Sequence, residues 1–506
     1  MQIFRNNKAA AALFAAFLGL GAVSSCQKDK LDPAPQTVFF DKVVFDTPAR
    51  VELQANALYS YVKAGIFLGG RVQIFGDIRA NDFLNRASNL VTGTAVWNHT
   101  LTETSQNDVI NTWGAGYAAI NQANVFLAGM DANAAKFGAA PFPADFTTKA
   151  NNYRGEARFL RALCYYHLLQ FYARPYADGA GSKPGLPLRL KAETDGTGND
   201  LPRSTVAQVY DQILEDLNYA ETNLPLTYGT TATTANVTRA HRNTAIALKT
   251  RVYLSMGRYA DVIREADKLV PAAAPFVAPT GVPNALNPSI TAVFGGSQET
   301  TESIFSSPFT VADGPGTQNQ LAYYFLPPGA ANGGNGEYGL NTAAGGILAS
   351  PAFAATDARR TNFVQVVGTE SFLKKYASGT NTSSPYTDKA PVIRYAEVML
   401  NLAEARVRST NSVDARALLL LNAVRTRSNP AGAYATFASV SDFTDALLLE
   451  RRIEFLGEGL RNIDIMRLNA PIPGKGTISA VNPSDVLYVW PIPFTELSTN
   501  KSMTRN

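Results

Sequence analysis

The chain has 506 residues, 46% hydrophobic and 17% charged, with 45 basic and 41 acidic residues and a formal net charge of +4. This composition belongs to a globular chain with room for a large core and two or more lobes; it excludes a disordered protein, and with no basic block it excludes nucleic acid as a partner. Two cysteines, Cys26 and Cys164, exclude a disulfide framework and a cysteine metal cluster. His99, His167 and His241 lie far apart and have no metal-ligand spacing, so neither metal nor cofactor is expected.

The N-terminus opens with basic Arg5 and Lys8, followed by an apolar run over 9–23. That run is too short to span a bilayer comfortably and reads as a secretory signal covering 1–25. Val23-Ser24-Ser25-Cys26 resembles a bacterial lipobox, which implies cleavage before Cys26 and lipidation of its sulfur. Several acyl chains there would anchor the protein firmly, at about 0.8 kcal/mol per buried methylene. The charged tag Gln27-Lys28-Asp29-Lys30 is similar to signals for export to the outer face of the outer membrane. No later apolar run reaches about 18 residues, so the expected protein is tethered and does not span.

Residues 31–40 read as a proline-containing arm and 48–62 as a helix. The stretch 63–106 is rich in Gly, Asn and Thr yet carries Phe67, Phe75, Phe83 and Trp97, and it reads as a long irregular loop of the kind that often binds ligands. Apolar spacing predicts helices over 108–130, 147–172, 204–224, 243–256 and 258–270. Cys164 and His167 are three residues apart on the second of these, but the tyrosines around them favour core packing over chemistry. Paired helices with short turns, as in ALKTRVYLSMGRYADVIREADKLV, resemble tetratricopeptide hairpins.

From 271 to 391 the chain turns to Pro, Gly, Asn and Thr and predicts loops carrying Tyr323, Tyr324, Phe325, Tyr338 and Tyr386. Gly334-x-Gly336-x-x-Gly339 lacks a preceding strand and a following helix, so it is loop composition and not a dinucleotide fingerprint. Helices return over 392–408, 413–427 and 442–457. The first has a polar stripe, Arg394, Glu397, Asn401, Glu404 and Arg408, on an otherwise apolar cylinder, which predicts burial on most sides. The stretch 450–467, ERRIEFLGEGLRNIDIMR, sets Glu450, Glu454 and Glu458 four apart on one face among four arginines. It reads as a partly buried ion network that docks the final helices and the tail LYVWPIP. Two facing carboxylates are also what a glycoside hydrolase needs, but adjacent arginines lower carboxylate pKa and suit structure better.

YAEVMLNLAEARVRS, LNAVRTRS, ERRIEFLGEGLRNIDIMR and WPIPFTELSTNKSMTRN occur in that order and closely resemble the C-terminal part of the SusD/RagB outer-membrane lipoproteins. GEARFLRALCYYHLLQFY, RSTVAQVYDQILEDLNYAETNLP and the run Trp113-x-x-x-Tyr117-x-x-Ile120-x-x-Ala123-Asn124 resemble its N-terminal half; the polar insert over 172–186 is longer than usual. The resemblance implies a mainly α fold with tetratricopeptide-like helix pairs as scaffold and a loop-rich ligand region, divided at 26–275 and 276–506. It implies capture of a nutrient without chemistry, typically an oligosaccharide and in some members a peptide, and delivery to a SusC-type TonB-dependent β-barrel.

A sugar ring has an apolar face and a polar rim, so it calls for an aromatic platform edged with hydrogen-bonding side chains. The first loop offers Phe75, Asp77, Arg79, Asn81, Asp82 and Trp97; the second offers Tyr323, Tyr324 and Tyr338. The competing readings are core packing for each ring and turn capping for Asp77 and Asp82.

Overall fold

The computed structural model describes residues 43–230, 233–329, 333–377 and 386–506. The signal segment, Cys26 and the arm over 31–40 lie outside the described residues. Helix α1 (Pro48–Val62) starts on a Thr47 cap with proline in its first turn. It packs on α3 (Asn111–Ala132) and α4 (Phe146–Tyr172), with α2 (Arg71–Ile78) between α1 and α3 in sequence. At 27 residues, α4 is about 40 Å long. It lies against α5 (Val206–Asn223), which begins with a reciprocal Thr205–Gln208 capping box. Helices α6 (Arg242–Ser255) and α7 (Tyr259–Ala266) form a hairpin through Gly257, whose φ of 68° suits a glycine. Helices α8 (Tyr395–Thr410) and α9 (Ala415–Ser428) form another, and α10 (Val440–Glu454) and α11 (Leu460–Arg467) close the stack.

Among the described residues there are three two-stranded antiparallel sheets. β1 (Phe83–Asn85) pairs with β3 (Tyr338–Leu340), β2 (Ser303–Ser307) with β6 (Ala390–Arg394), and β4 (Val364–Val367) with β5 (Glu370–Leu373). The first two join the loop-rich region to distant parts of the chain. A mainly α stack of helix hairpins with a loop-rich region is the expected architecture.

Three expectations are corrected. The stretch 63–106 is not a loose loop: α2 is buried at all eight of its residues. Buried on every side, it has no amphipathic period, and so its sequence looks irregular. Residues 392–394 end β6 and do not start α8. Glu458 is not on the helical face of Glu450 and Glu454, because α10 stops at Glu454 and Gly457 and Gly459 turn the chain at φ 84° and 81°. That turn meets α2 closely: a Cβ on Gly76 would lie 2.2 Å from the Gly459 carbonyl oxygen.

The ion network is present but spans more of the molecule than 450–467. Five acids, Glu302, Asp357, Glu450, Glu454 and Glu458, interlock with Arg359, Lys375, Arg394, Arg425 and Arg427. Arg394 alone reaches Glu302, Glu454 at 2.9 Å and Glu458 at 2.7 Å. These bonds pin the loop-rich region to α8–α10. The α8 stripe engages a second set: Glu397 pairs with Arg251 at 2.6 Å, and Glu404 with Arg467 at 2.7 Å. Asn401 accepts from Arg451, which also pairs with Asp464. The tail is held by other means. Trp490 wedges its ring against Phe171 at 4.5 Å and against Phe75 and Tyr172 at 5.5 Å, and its backbone N–H donates to the Phe171 carbonyl.

Candidate functional site

Most of the ligand residues expected from sequence lie in the interior, bonded to protein. Phe75 is sealed under Trp490. Arg79 spends its guanidinium on Asn462 Oδ1 at 2.7 Å and the Tyr488 carbonyl at 2.8 Å. Asn81 donates to the Gly345 carbonyl, and Asp82 accepts from Arg452 Nε at 2.8 Å. Asp77 faces the Gly457–Arg461 turn, and burial raises its carboxyl to about 7 even though the N–H groups of Gly459 and Gly457 act against the shift. Tyr324 stacks on Tyr338 at 6.2 Å, and their hydroxyls donate to the Gln318 and Thr92 carbonyls. All seven side chains therefore hold loops in place and none offers a face to a sugar ring; Arg79 alone also touches a cavity, on the Trp490 side.

Trp97 and Tyr323 remain half-buried. Trp97 is pinned by its Nε1–H to the Phe83 carbonyl at 2.8 Å, and the Lys475 ammonium stands 5.4 Å from its ring. Tyr323 is the freer of the two. It sits on the short helix Leu321–Phe325 at the edge of a face built by the β1–β3 pair, the turn 86–93 and the β4–β5 hairpin. The Tyr386 ring meets it edge-on at 6.3 Å, and the Tyr386 hydroxyl has no hydrogen-bond partner among the described residues. A polar rim surrounds the pair. Gln318 Nε2 donates to the Tyr323 hydroxyl, and Asn335 donates its backbone N–H to the Tyr323 carbonyl and its amide to Glu337. Glu337 also accepts from Thr92 at 2.7 Å. Across the face, Arg86 makes a two-pronged bond to Glu370, donates to the Gly336 carbonyl and lies 5.0 Å from the Phe372 ring. Burial raises the Tyr323 and Tyr386 hydroxyls above the usual tyrosine range, so both stay protonated donors at neutral pH.

Sequence reasoning missed Gln318, Asn335, Glu337 and Tyr386 as partners of Tyr323. Tyr386 stood out only as one of the loop aromatics, and the other three only through the density of Asn, Gln and Gly near the tyrosines, which gives composition without pairing. Elsewhere, burial pushes the Cys164 thiol up and His167 down, as core packing requires. Among the described residues no group of three His, Cys, Asp or Glu is placed to hold a metal, and no helix is long and apolar enough to cross a membrane.

Two family models match the chain: "Starch-binding associating with outer membrane" over residues 46–254, and "SusD family" over 341–506. A SusD superfamily protein of Bacteroides fragilis, solved by crystallography, is 31% identical and covers 91% of this chain and 100% of its own, with a TM-score of 0.78. The chain belongs to the SusD family. SusD-like protein P38 of Formosa agariphila is 24% identical, with 97% of each chain covered. A laminarin-binding SusD-like protein shares the SusD fold at a TM-score of 0.71 and 20% identity, covering 91% of this chain and 99% of that one. In this SusD-family chain the two matched segments bracket residues 255–340, which carry Gln318, Tyr323 and Asn335.

Proposed function

We propose that this protein is a cell-surface lipoprotein that binds an oligosaccharide on the face around Tyr323 and delivers it to a SusC-like TonB-dependent β-barrel transporter. The observation that carries this reading is the Tyr323–Tyr386 pair. Tyr323 is a half-buried ring braced edge-on by the buried Tyr386 and edged by Gln318 and Asn335, whereas the Tyr324–Tyr338 stack is sealed. A pyranose can lay its C–H face on Tyr323 while its hydroxyls exchange hydrogen bonds with the amides of the rim. Family membership, the starch-binding description of the N-terminal match and the laminarin-binding relative favour a glycan. Attachment to the outer membrane through a lipid on Cys26 is part of the same reading.

The protein acts by binding, without bond cleavage. The conspicuous acids of 450–467 are each held by guanidinium groups. Burial pushes the Glu454 carboxyl up, but Arg427, Arg394 and Arg359 outweigh it and hold it well below the usual carboxylate range. Such a group cannot serve as a general acid at neutral pH.

Calorimetric titration of the purified chain with laminarin, starch and oligopeptides tests this. Glycan binding that weakens about tenfold in Tyr323→Ala is expected. Binding of peptides alone would replace the oligosaccharide, and appearance of shortened glycan would end the binding-only reading. Cys26→Ala should shift the protein from membrane to soluble fraction.

A further inference from the structure

A second site lies on the far side of Trp97. The turn around Gly474 and Gly476, closed by paired Lys475–Ile478 backbone bonds, carries Lys475 inward. Its ammonium donates to the Arg79 carbonyl at 2.5 Å and lies 3.3 Å from His99 Nε2. Lys475, Arg79 and His99 are exposed by only 4%, 1% and 7%. Among the described residues no carboxylate pairs with any of the three. Elsewhere among the described residues the buried cations Lys249, Arg251, Arg359, Arg394, Arg451 and Arg467 have carboxylate partners, while Arg71 is bonded only to the Asn107 and Gln318 carbonyls. A buried cation without a counter-charge is costly, so Lys475 and Arg79, side by side next to His99, mark a place where a charge from outside is worth the most.

The cluster opens on a cavity of about 310 Å³ lined by Arg79, His99, Leu101, Val486, Leu487 and Trp490. That is the small end of ligand-site volumes, room for a single sugar or ion and not a long chain. At its rim Arg505 is already paired with Glu103, so that pair adds no net charge. Burial, with Lys475 and Arg79 adding to it, lowers His99 to about 3, which leaves the ring neutral. Burial, with Arg79 adding to it, lowers the Lys475 ammonium well below the usual lysine range, so an arriving anion would also favour its charged form; a charged Lys475 donates to His99 Nε2, which leaves the ring proton on Nδ1 as a donor.

We propose that this cavity binds a small oxyanion, a carboxylate or sulfate of the kind an acidic sugar carries, held by Arg79 and His99 with Lys475 as the charge behind them. The site is independent of the neutral sugar face at Tyr323, and its ligand is chosen by charge rather than by ring stacking. The carboxylate or sulfate could arrive on a sugar or as a free ion.

The test titrates the full chain with sodium glucuronate, sodium sulfate and glucose, following heat and the His99 imidazole resonances by NMR. Glucuronate or sulfate should bind in the millimolar range or tighter and shift the His99 signals, with glucose inert; glucuronate alone identifies a sugar acid, and sulfate alone a free ion. Lys475→Met and His99→Gln should weaken anion binding about tenfold or more while laminarin binding stays as in the parent. If Lys475→Met does not fold, the parent's His99 signals and His99→Gln still decide. Unmoved His99 signals with both anions, or an equal response to glucose, would overturn the proposal. Loss of laminarin binding in Tyr323→Ala bears only on the other site.

Discussion

Glu454 and Asp77 are both buried carboxylates, yet the fold treats them oppositely. Glu454 lies where α9, α10 and the loop-rich region converge, and guanidiniums from three segments hold it ionised. Asp77 sits on α2 with backbone N–H groups for company and a second carboxylate, Asp82, nearby; burial wins, and its carboxyl rises to about 7. Asp108, facing only Arg71, behaves alike and also rises to about 7 through burial. What separates the two groups is the number of cations that reach each carboxylate, since burial is common to both.

The largest effect should come from cutting the cation shared by most of the network. Arg394→Met leaves Glu302, Glu454 and Glu458 buried with one partner fewer each and should cost about 3–5 kcal/mol in denaturant unfolding. A loss below about 1 kcal/mol would mean the network is not the clasp described here.

The contrast between the acids also predicts two limbs in stability against pH. Asp77 and Asp108 have folded values raised above their unfolded ones, so they cost stability above about pH 7 and cease to do so as pH falls toward 4. Stability should therefore rise from pH 8 to pH 5 by an amount on the order of a few kcal/mol. The Asp77→Asn, Asp108→Asn double variant should flatten that rise. Asp464 is the reverse case. Burial raises its carboxyl, but Arg451 and Arg467 bring it down to about 2, so its contribution is present above about pH 4 and lost as pH falls toward 2. It amounts to about 2 kcal/mol, read as a steep acid limb that Asp464→Asn should soften.

On the ligand face the expected effects on stability are smaller. Tyr323→Ala should weaken glycan binding about tenfold with little change in unfolding. Trp97→Ala should instead cost about 1–3 kcal/mol of stability, because it frees the Phe83 carbonyl and uncovers Lys475. Least of all, Glu370→Gln, which breaks an exposed pair with Arg86, should change stability by under about 1 kcal/mol.

The helices were legible where caps, stop residues or a polar line marked them. Helix α5 announced itself through Thr205, its apolar spacing and Pro225, and the α8 stripe predicted burial with polar partners along one line. Helix α2 was not legible, because it is only eight residues long, has no side-chain cap and is buried all round, so neither an end signal nor a polar face marks it. The seven sealed binding candidates failed for a related reason. Phe75, Asp77 and Arg79 carry the residue types of a sugar site, but residue type does not say whether Trp490, Asn462 and Tyr488, nearly 400 positions away, will cover them.

By itself, the amino-acid sequence determined the helix hairpins, the family and the fact that the charges of 450–467 are structural, since caps, periods and i,i+4 spacings act within a few residues. Tertiary structure alone decided which acids share cations, which aromatic rings stay open and that Lys475, Arg79 and His99 meet without a counter-charge. Those outcomes depend on burial and on contacts between segments far apart in the chain, and desolvation has no local signature in sequence.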